Sequence, residues 1–271
     1  MQRDNPEKLT EPRLAQRVRA KAARAERLLR SAARDFAPVV FASSLGAEDM
    51  VLTDLIWGGG EQGEPIGIGL FSLDTGRLPE ETLDLIARAE RRYGRRLTVV
   101  APERADVEAL VAAQGINGFY DSVAARKACC HARKVLPLKR ALAGRRAWVT
   151  GLRAAQAQTR NGLRALGYDR DNDLVKLSPL ADWSEEEVWA YLRMHDVPTN
   201  ALHERGYPSI GCAPCTRAVQ LGEDVRAGRW WWESPATKEC GLHVVAGQLV
   251  RKVGAGGTAG AAANDAQGAQ S

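Results

Sequence analysis

The chain predicts an α/β fold with a mainly parallel sheet flanked by helices. Three observations predict it. Short apolar runs at 39–42, 66–73, 97–100, 147–151 and 174–177 alternate with helical patterns, the rhythm of βαβ units. Polar or glycine-bearing turns follow several of these runs, and open parallel sheets bind ligands at the C-terminal ends of their strands. The 271 residues are enough to bury a core without disulfides.

Residues 14–36 carry Leu14, Val18, Leu28, Leu29, Ala32 and Phe36 near one face, with arginines between them. This reads as a helix with a packed stripe beneath a solvated basic face. The apolar run 39–42 is a buried strand. Ser43, Ser44, Leu45, Gly46, Ala47, Glu48 and Asp49 then form a polar loop ahead of a helix over 50–57. Strand, loop and helix N-terminus suit an anion in that order, and a capped turn equally. No Gly-Lys-Ser/Thr closes the loop, so it is not a Walker A loop.

The strand over 66–73 ends in Asp74, Thr75, Gly76 and Arg77, which are candidate ligand contacts. Pro79 opens a helix reaching about Tyr93. A strand at 97–100 and a short helix at 107–113 follow. The pattern then predicts a helix over 122–142 that Pro137 kinks or restarts. After the strand at 147–151, Arg153 and Arg160 lie in a polar loop. Their planar forks match phosphate and sulfate oxygens, so they are candidates to clamp an anionic substrate. Beyond the strand at 174–177, Ser184 and Glu187 form a capping-box pattern for a helix carrying Val188, Trp189, Tyr191 and Leu192. Trp230, Trp231 and Trp232 cannot all face one core; some pack and others are free to cover a ligand. From residue 254 the chain is rich in Gly, Ala and Ser without apolar period, which predicts a disordered tail.

The net charge of +5 is modest. With no dense basic face and scattered aromatics, no nucleic-acid partner is expected. No apolar run is long enough to span a bilayer, and the N-terminus lacks the apolar core of a signal peptide. No membrane association is expected, and the predicted location is cytoplasmic. In a reducing compartment, clustered cysteines point to metal binding or catalysis.

Five cysteines are present. Cys129 and Cys130 are adjacent, Cys212 and Cys215 form a C-x-x-C, and Cys240 stands apart. Three readings of the paired thiols are open: a zinc site, an iron–sulfur cluster, or a redox pair at Cys212 and Cys215. Adjacent cysteines break the usual zinc spacing, and the redox reading leaves Cys129 and Cys130 unexplained. Cys240 sits in a polar stretch with Lys238 and His243 close by, a setting that favours the nucleophilic thiolate.

Six motifs, in order, carry a resemblance. They are Ser44-Leu45-Gly46-Ala47-Glu48-Asp49, Leu73-Asp74-Thr75-Gly76-Arg77, Cys129-Cys130, the stretch 206–217 with Cys212 and Cys215, the stretch 228–233, and Lys238-Glu239-Cys240-Gly241-Leu242-His243. Together they resemble the thioredoxin-dependent, iron–sulfur assimilatory adenylylsulfate (APS) reductases of the phosphoadenylylsulfate reductase family. The resemblance runs from about Phe36 to His243. It departs from the family pattern at Ala154 and Ala157, where arginine and serine are expected.

The resemblance implies an adenine-nucleotide alpha-hydrolase-like (PP-loop) fold and a [4Fe-4S] cluster on Cys129, Cys130, Cys212 and Cys215. It implies nucleotide contacts over Ser43 to Asp49, and Lys134 near both cluster and substrate. Lys134, Arg153, Arg160 and Arg229 are the candidates to neutralise the substrate, with Arg226 beside them in sequence. Cys240 is the expected nucleophile, and the expected partners are adenylylsulfate and a separate thioredoxin or glutaredoxin. A homo-oligomer is expected. The implied division is an N-terminal helical segment (1–35), a catalytic domain (36–235), a mobile tail bearing Cys240 (236–253) and a disordered tail (254–271). Competing readings are a phosphoadenylylsulfate or dual-specificity reductase, an ATP-dependent PP-loop enzyme acting on tRNA, and a zinc-binding module.

Overall fold

The computed structural model describes residues 6–156 and 162–234, with side chains from residue 12 onward. Its sheet has six strands in the order β3-β2-β1-β4-β6-β5. They are β1 (Val39–Ala42), β2 (Gly69–Leu73), β3 (Thr98–Val100), β4 (Ala147–Val149), β5 (Leu166–Asp169) and β6 (Leu174–Leu177). Every pairing is parallel except that of β5 with β6. The strand order reverses between β1 and β4, which leaves a crevice above their C-terminal ends.

The central strands are apolar on both faces because both faces are covered. Along β1, Val39 and Phe41 belong to one buried cluster and Val40 to another. Along β4, Ala147 and Val149 join the first cluster and Trp148 the second. That division is the period of two that a pleated strand imposes. The first and larger cluster is closed by α1 (Pro6–Asp35), α2 (Ala47–Thr53), α3 (Glu80–Tyr93) and α7 (Glu185–Met194). The second is closed by Leu138 and Leu142 of α6 (Leu136–Leu142), packed on Phe71 and Trp148. The remaining helices are α4 (Arg104–Gln114) and α5 (Val123–Cys130).

Helix α1 begins earlier than its apolar pattern suggested, at Pro6 instead of about residue 14. Val18, Ala22, Ala25, Leu29 and Ala32 form its buried stripe, at the 3–4 residue spacing of one helix face. Its basic residues are more than a solvated face. Lys21 donates to the Asp182 carbonyl at 2.8 Å and to Glu187 at 2.6 Å, and Arg30 reaches the carbonyls of Gly59 and Glu64.

Two further elements differ from the pattern. Strand β5 carried no readable signal, because Leu166 and Tyr168 are exposed at the sheet edge with Gly167 between them. Its turn is held by Asp169, whose carboxylate accepts from Asp171 and Asn172. The helix expected over 122–142 is divided. Residues His131–Val135 form a π-helical turn between α5 and α6. Pro137 has no N–H to give the carbonyl of Arg133 four residues back, so the regular ladder cannot continue through this point. Among the described residues, no helix is long and apolar enough to cross a membrane.

The capping box at α7 forms as its sequence indicates: Ser184 Oγ accepts from Glu187 N at 3.1 Å, and Glu187 accepts from Ser184 N at 2.8 Å. Glu187 also receives Lys21, so this cap fastens α1 to α7. Ser184→Ala is expected to lower the free energy of unfolding by about 1 kcal/mol, read as a shift in the urea midpoint without change of slope.

Candidate active site

A cleft of about 410 Å³ lies over the C-terminal ends of β1, β2 and β4. Ser43 and Thr150, which follow β1 and β4, and Ser72, next to the last residue of β2, all line it. One wall is the turn that joins β1 to α2. Here Ser43 N donates to Phe71 O at 2.8 Å, and Leu45 N donates to Ser43 Oγ at 3.2 Å. Leu45 adopts a left-handed conformation, φ 63°, which reverses the chain. Ser44 donates both its N–H and its Oγ–H to one oxygen of Asp49, each at 2.6 Å. The other Asp49 oxygen faces Gly151, where any Cβ would collide with it. Only glycine lets β4 approach this closely. Burial pushes the Asp49 carboxyl up to about 6, against the Ser44 hydrogen bonds and the Gly151 N–H.

The same wall continues to Glu48, which accepts from Arg153 Nε at 2.7 Å, a pair largely shielded from water. His203 lies nearby and feels both Glu48 and Glu185. Its Nδ1–H donates to the Tyr207 carbonyl at 2.9 Å, since the carbonyl can only accept. Burial lowers the basicity of the ring, so it is neutral near pH 7.

The cysteines meet at a neighbouring void. Cys129, Cys130, Cys212 and Cys215 all line it, together with Arg77, Arg126, Arg133, Lys134 and Arg229. The helix α5 delivers one pair, and the loop after Gly206 delivers the other. Thr75 Oγ1 lies 3.2 Å from Cys212 Sγ, and Arg133 donates to the Thr75 carbonyl at 2.8 Å. Gly211 packs against the Arg229 guanidinium, which would have to shift to admit a Cβ beside Cys212. Burial, with the Cys212 thiol beside it, pushes Cys215 up to about 12 despite Lys134 and Arg229. Burial also raises Cys129. Among the described residues the four cysteines form no disulfide, and no three Cys, His, Asp or Glu side chains converge as ligands of one metal ion. A four-thiol donor set around one void, ringed by cations, suits a multinuclear group whose thiolate charge needs compensation.

Trp230 closes the void. The guanidinium groups of Arg126 and Arg229 both lie over its ring, 4.6 Å and 4.9 Å from the ring centre. Arg126 in turn makes a bidentate pair with Glu233, both contacts at 2.8 Å and both side chains almost fully buried. Of the three consecutive tryptophans, Trp230 is buried and lines the cleft, Trp231 is exposed, and Trp232 packs on Phe119 and Tyr120.

A family model, the phosphoadenosine phosphosulfate reductase domain, matches residues 38–218. The chain belongs to this family. It is 60% identical over 216 residues to the adenosine 5'-phosphosulfate reductase of Allochromatium vinosum, covering 80% of this chain and 82% of that one. It is 52% identical over 249 residues to the protein of that name from Burkholderia cepacia, covering 92% and 96%. Among solved structures, the phosphoadenylyl-sulfate reductase from Candida auris, in a phosphate complex, aligns with a TM-score of 0.60 at 25% identity, over 72% of this chain and 90% of that one. The FMN adenylyltransferase of Candida glabrata in complex with ATP shares the fold, with a TM-score of 0.53 at 15% identity over 83% and 75%.

Within this family fold, Ser43, Ser44, Gly46, Ala47, Glu48, Asp49, Thr75, Lys134, Arg153, Arg226 and Arg229 line the cleft. Asp74 instead closes its own turn by accepting from Gly76 N at 2.8 Å. Arg77 lies on the cysteine side, bonded to Asn117 and the Ile116 carbonyl and stacked on Phe119. Arg160 and Cys240 lie outside the described residues. Sequence reasoning missed Arg126, Arg133, Trp189 and His203. Arg126 and Arg133 were findable: they stand four residues before Cys130 and four after Cys129, so helical spacing puts them beside the thiols.

Two outcomes follow from these buried charges. Asp49 has a folded-state value above that of an exposed aspartate, so its contribution to stability is full below about pH 4 and lost as pH rises through about 6. Ionising it costs about 3 kcal/mol. Asp49→Asn should therefore abolish that part of the wild-type decline in urea-measured stability between those pH values. Arg126→Gln or Glu233→Gln strands one buried charge and is expected to cost about 3–5 kcal/mol. In a double-mutant cycle by urea unfolding, the paired substitution Arg126→Met with Glu233→Leu should cost less than either single change.

Proposed function

We propose that this protein reduces adenylylsulfate to sulfite and AMP, taking two electrons from a thioredoxin or glutaredoxin dithiol, in cytoplasmic sulfate assimilation. One observation carries the reading. Lys134 and Arg229 line both the cleft and the cysteine void, so the cations available to a substrate's anionic end also face the four thiols. Relatives between 48% and 60% identical that bear the adenosine 5'-phosphosulfate reductase name support the substrate.

Cys129, Cys130, Cys212 and Cys215 would hold a [4Fe-4S] cluster, with the surrounding cations offsetting the thiolate charge. When bound, the cluster would supply a structural and electrostatic anchor beside the cationic end of the cleft. The remaining chemistry belongs to side chains. Lys134, Arg226 and Arg229, with Arg160, neutralise the phosphosulfate oxygens so that an anionic nucleophile can approach. The Cys240 thiolate attacks the sulfur; an S–S bond forms, the bridging S–O bond breaks, and AMP leaves with the electron pair. A reductant thiolate then attacks Sγ of Cys240, and sulfite leaves with the pair. The reductant's second thiol resolves the mixed disulfide, returns Cys240 as thiolate, and completes a two-electron oxidation of the dithiol. The segment bearing Cys240 must reach substrate in one position and reductant in another. A homo-oligomer is compatible with this scheme and not required by it.

The test is mass spectrometry of anaerobically purified protein incubated with adenylylsulfate and no reductant. A sulfonate on the Cys240 peptide, released as sulfite on adding reduced thioredoxin and absent in Cys240→Ala, is the expected result. No sulfonate in protein shown to hold iron and acid-labile sulfide would overturn the mechanism.

A further inference from the structure

We propose that the exposed apolar patch of Ile116, Tyr120 and Trp231, on the outer wall of the cysteine void, is the surface on which the protein dithiol docks to release sulfite from Cys240. The inference rests on the reaction proposed above and gives its reductant a place on the molecule.

The patch is built from the inside outward. Phe119 is buried and lines the void. Tyr120 packs on it with ring centres 4.4 Å apart, and the Tyr120 hydroxyl donates at 2.9 Å to the carbonyl of Pro214, which lies between Cys212 and Cys215. Trp232 meets Tyr120 edge-on at 4.5 Å, and Trp231 meets Trp232 edge-on at 5.6 Å. On the other flank, Arg77 lies over Phe119 and donates to the Ile116 carbonyl and to the Asn117 side chain. The outer members face solvent: Ile116 is 66% exposed, Trp231 49% and Tyr120 39%. Trp231 lines neither the cleft nor the void.

Single exposed apolar side chains are ordinary. These three differ in sharing one packed backing, tied by a hydrogen bond to the loop that carries two of the cysteines. Side chains fixed before contact lose little freedom on binding, and aromatic and arginine residues are enriched where proteins dock. The patch therefore fits a protein surface.

Its position selects the partner. The described chain ends at Ser234, three residues past Trp231. Cys240 follows six residues later, so it stays within about 22 Å of Ser234. The reductant's thiolate must meet Sγ of Cys240 inside that radius, and Trp231 stands at the root of the segment. Lys134 and Arg229, the cations for the substrate's anionic end, line the same void whose outer wall bears the patch. A dithiol protein seated here lies beside the point where Cys240 takes up the sulfonate, without entering the cleft. A permanent contact with a second copy at this place would block that approach.

The test uses protein carrying the Cys240 sulfonate, prepared with adenylylsulfate and freed of nucleotide. It compares wild type, Trp231→Ser, Ile116→Ser and the double variant, with Tyr168→Ser as control. Tyr168 is also exposed, but on the edge strand β5. Sulfite release is timed with reduced thioredoxin and, separately, with dithiothreitol, which is too small to need a docking surface. The double variant should lose about tenfold or more in the second-order rate constant with thioredoxin, and each single variant less. Release by dithiothreitol and the rate of sulfonate formation should match the wild type, and Tyr168→Ser should match it throughout. Unchanged release by thioredoxin overturns the proposal. So does an equal loss with dithiothreitol, which a merely structural role would give. Slower sulfonate formation in step with slower release also overturns it, because the patch would then seat the segment bearing Cys240. Dissociation of the double variant, read by light scattering, overturns it in favour of a contact between copies. If the wild type takes up no sulfonate from adenylylsulfate, the underlying reading fails instead.

Discussion

The buried pair of Arg126 and Glu233 holds the site together. Arg126 is on α5, which carries Cys129 and Cys130, and Glu233 stands at the end of the described chain, three residues past Trp230. Two opposite charges removed from water are tolerated only with good geometry and satisfied hydrogen bonds, and the bidentate contact supplies both. Through this pair, the helix with two of the cysteines and the segment leading toward Cys240 share one fixed point. Trp230, in contact with both Arg126 and Arg229, lines the cleft and extends that fixed point to its wall.

Around this anchor the protein concentrates cations on one side and carboxylates on the other. Burial favours the protonated form of the thiols at Cys129 and Cys215, as their raised values show. A bound cluster would release those protons, and the surrounding cations would then offset the thiolate charge. The carboxylate side has the opposite economy: Asp49 is held by Ser44 and by the close approach of Gly151, so its charge is oriented before any ligand arrives.

The features legible in the sequence were those written as local patterns. The parallel strands at Val39–Ala42 and Ala147–Val149 are short apolar runs beside turn residues, and the capping box of Ser184 and Glu187 is a four-residue signature. The four cysteines were legible as pairs, and the fold brings both pairs to one void. What stayed hidden depends on residues distant in sequence. Nothing local marks Glu48 as the partner of Arg153, more than a hundred positions away, or Asp54 as the common acceptor for Tyr93 and Tyr191. Strand β5 was hidden for another reason: an exposed edge has no buried face and hence no alternation.

The π-helical turn at His131–Val135 acts as a phase setter. Successive residues of an α-helix are rotated by about 100°. The extra residue carried by the wider turn thus fixes the angular offset between the thiols of α5 and the core face of α6, where Leu138 and Leu142 are pinned against the sheet. Removing one residue from this turn would leave the residues of both helices unchanged. It would swing Cys129 and Cys130 roughly a quarter of a revolution out of line with Cys212 and Cys215. Insertions and deletions here are therefore constrained by rotation as well as by length, while in a flexible linker only length would matter.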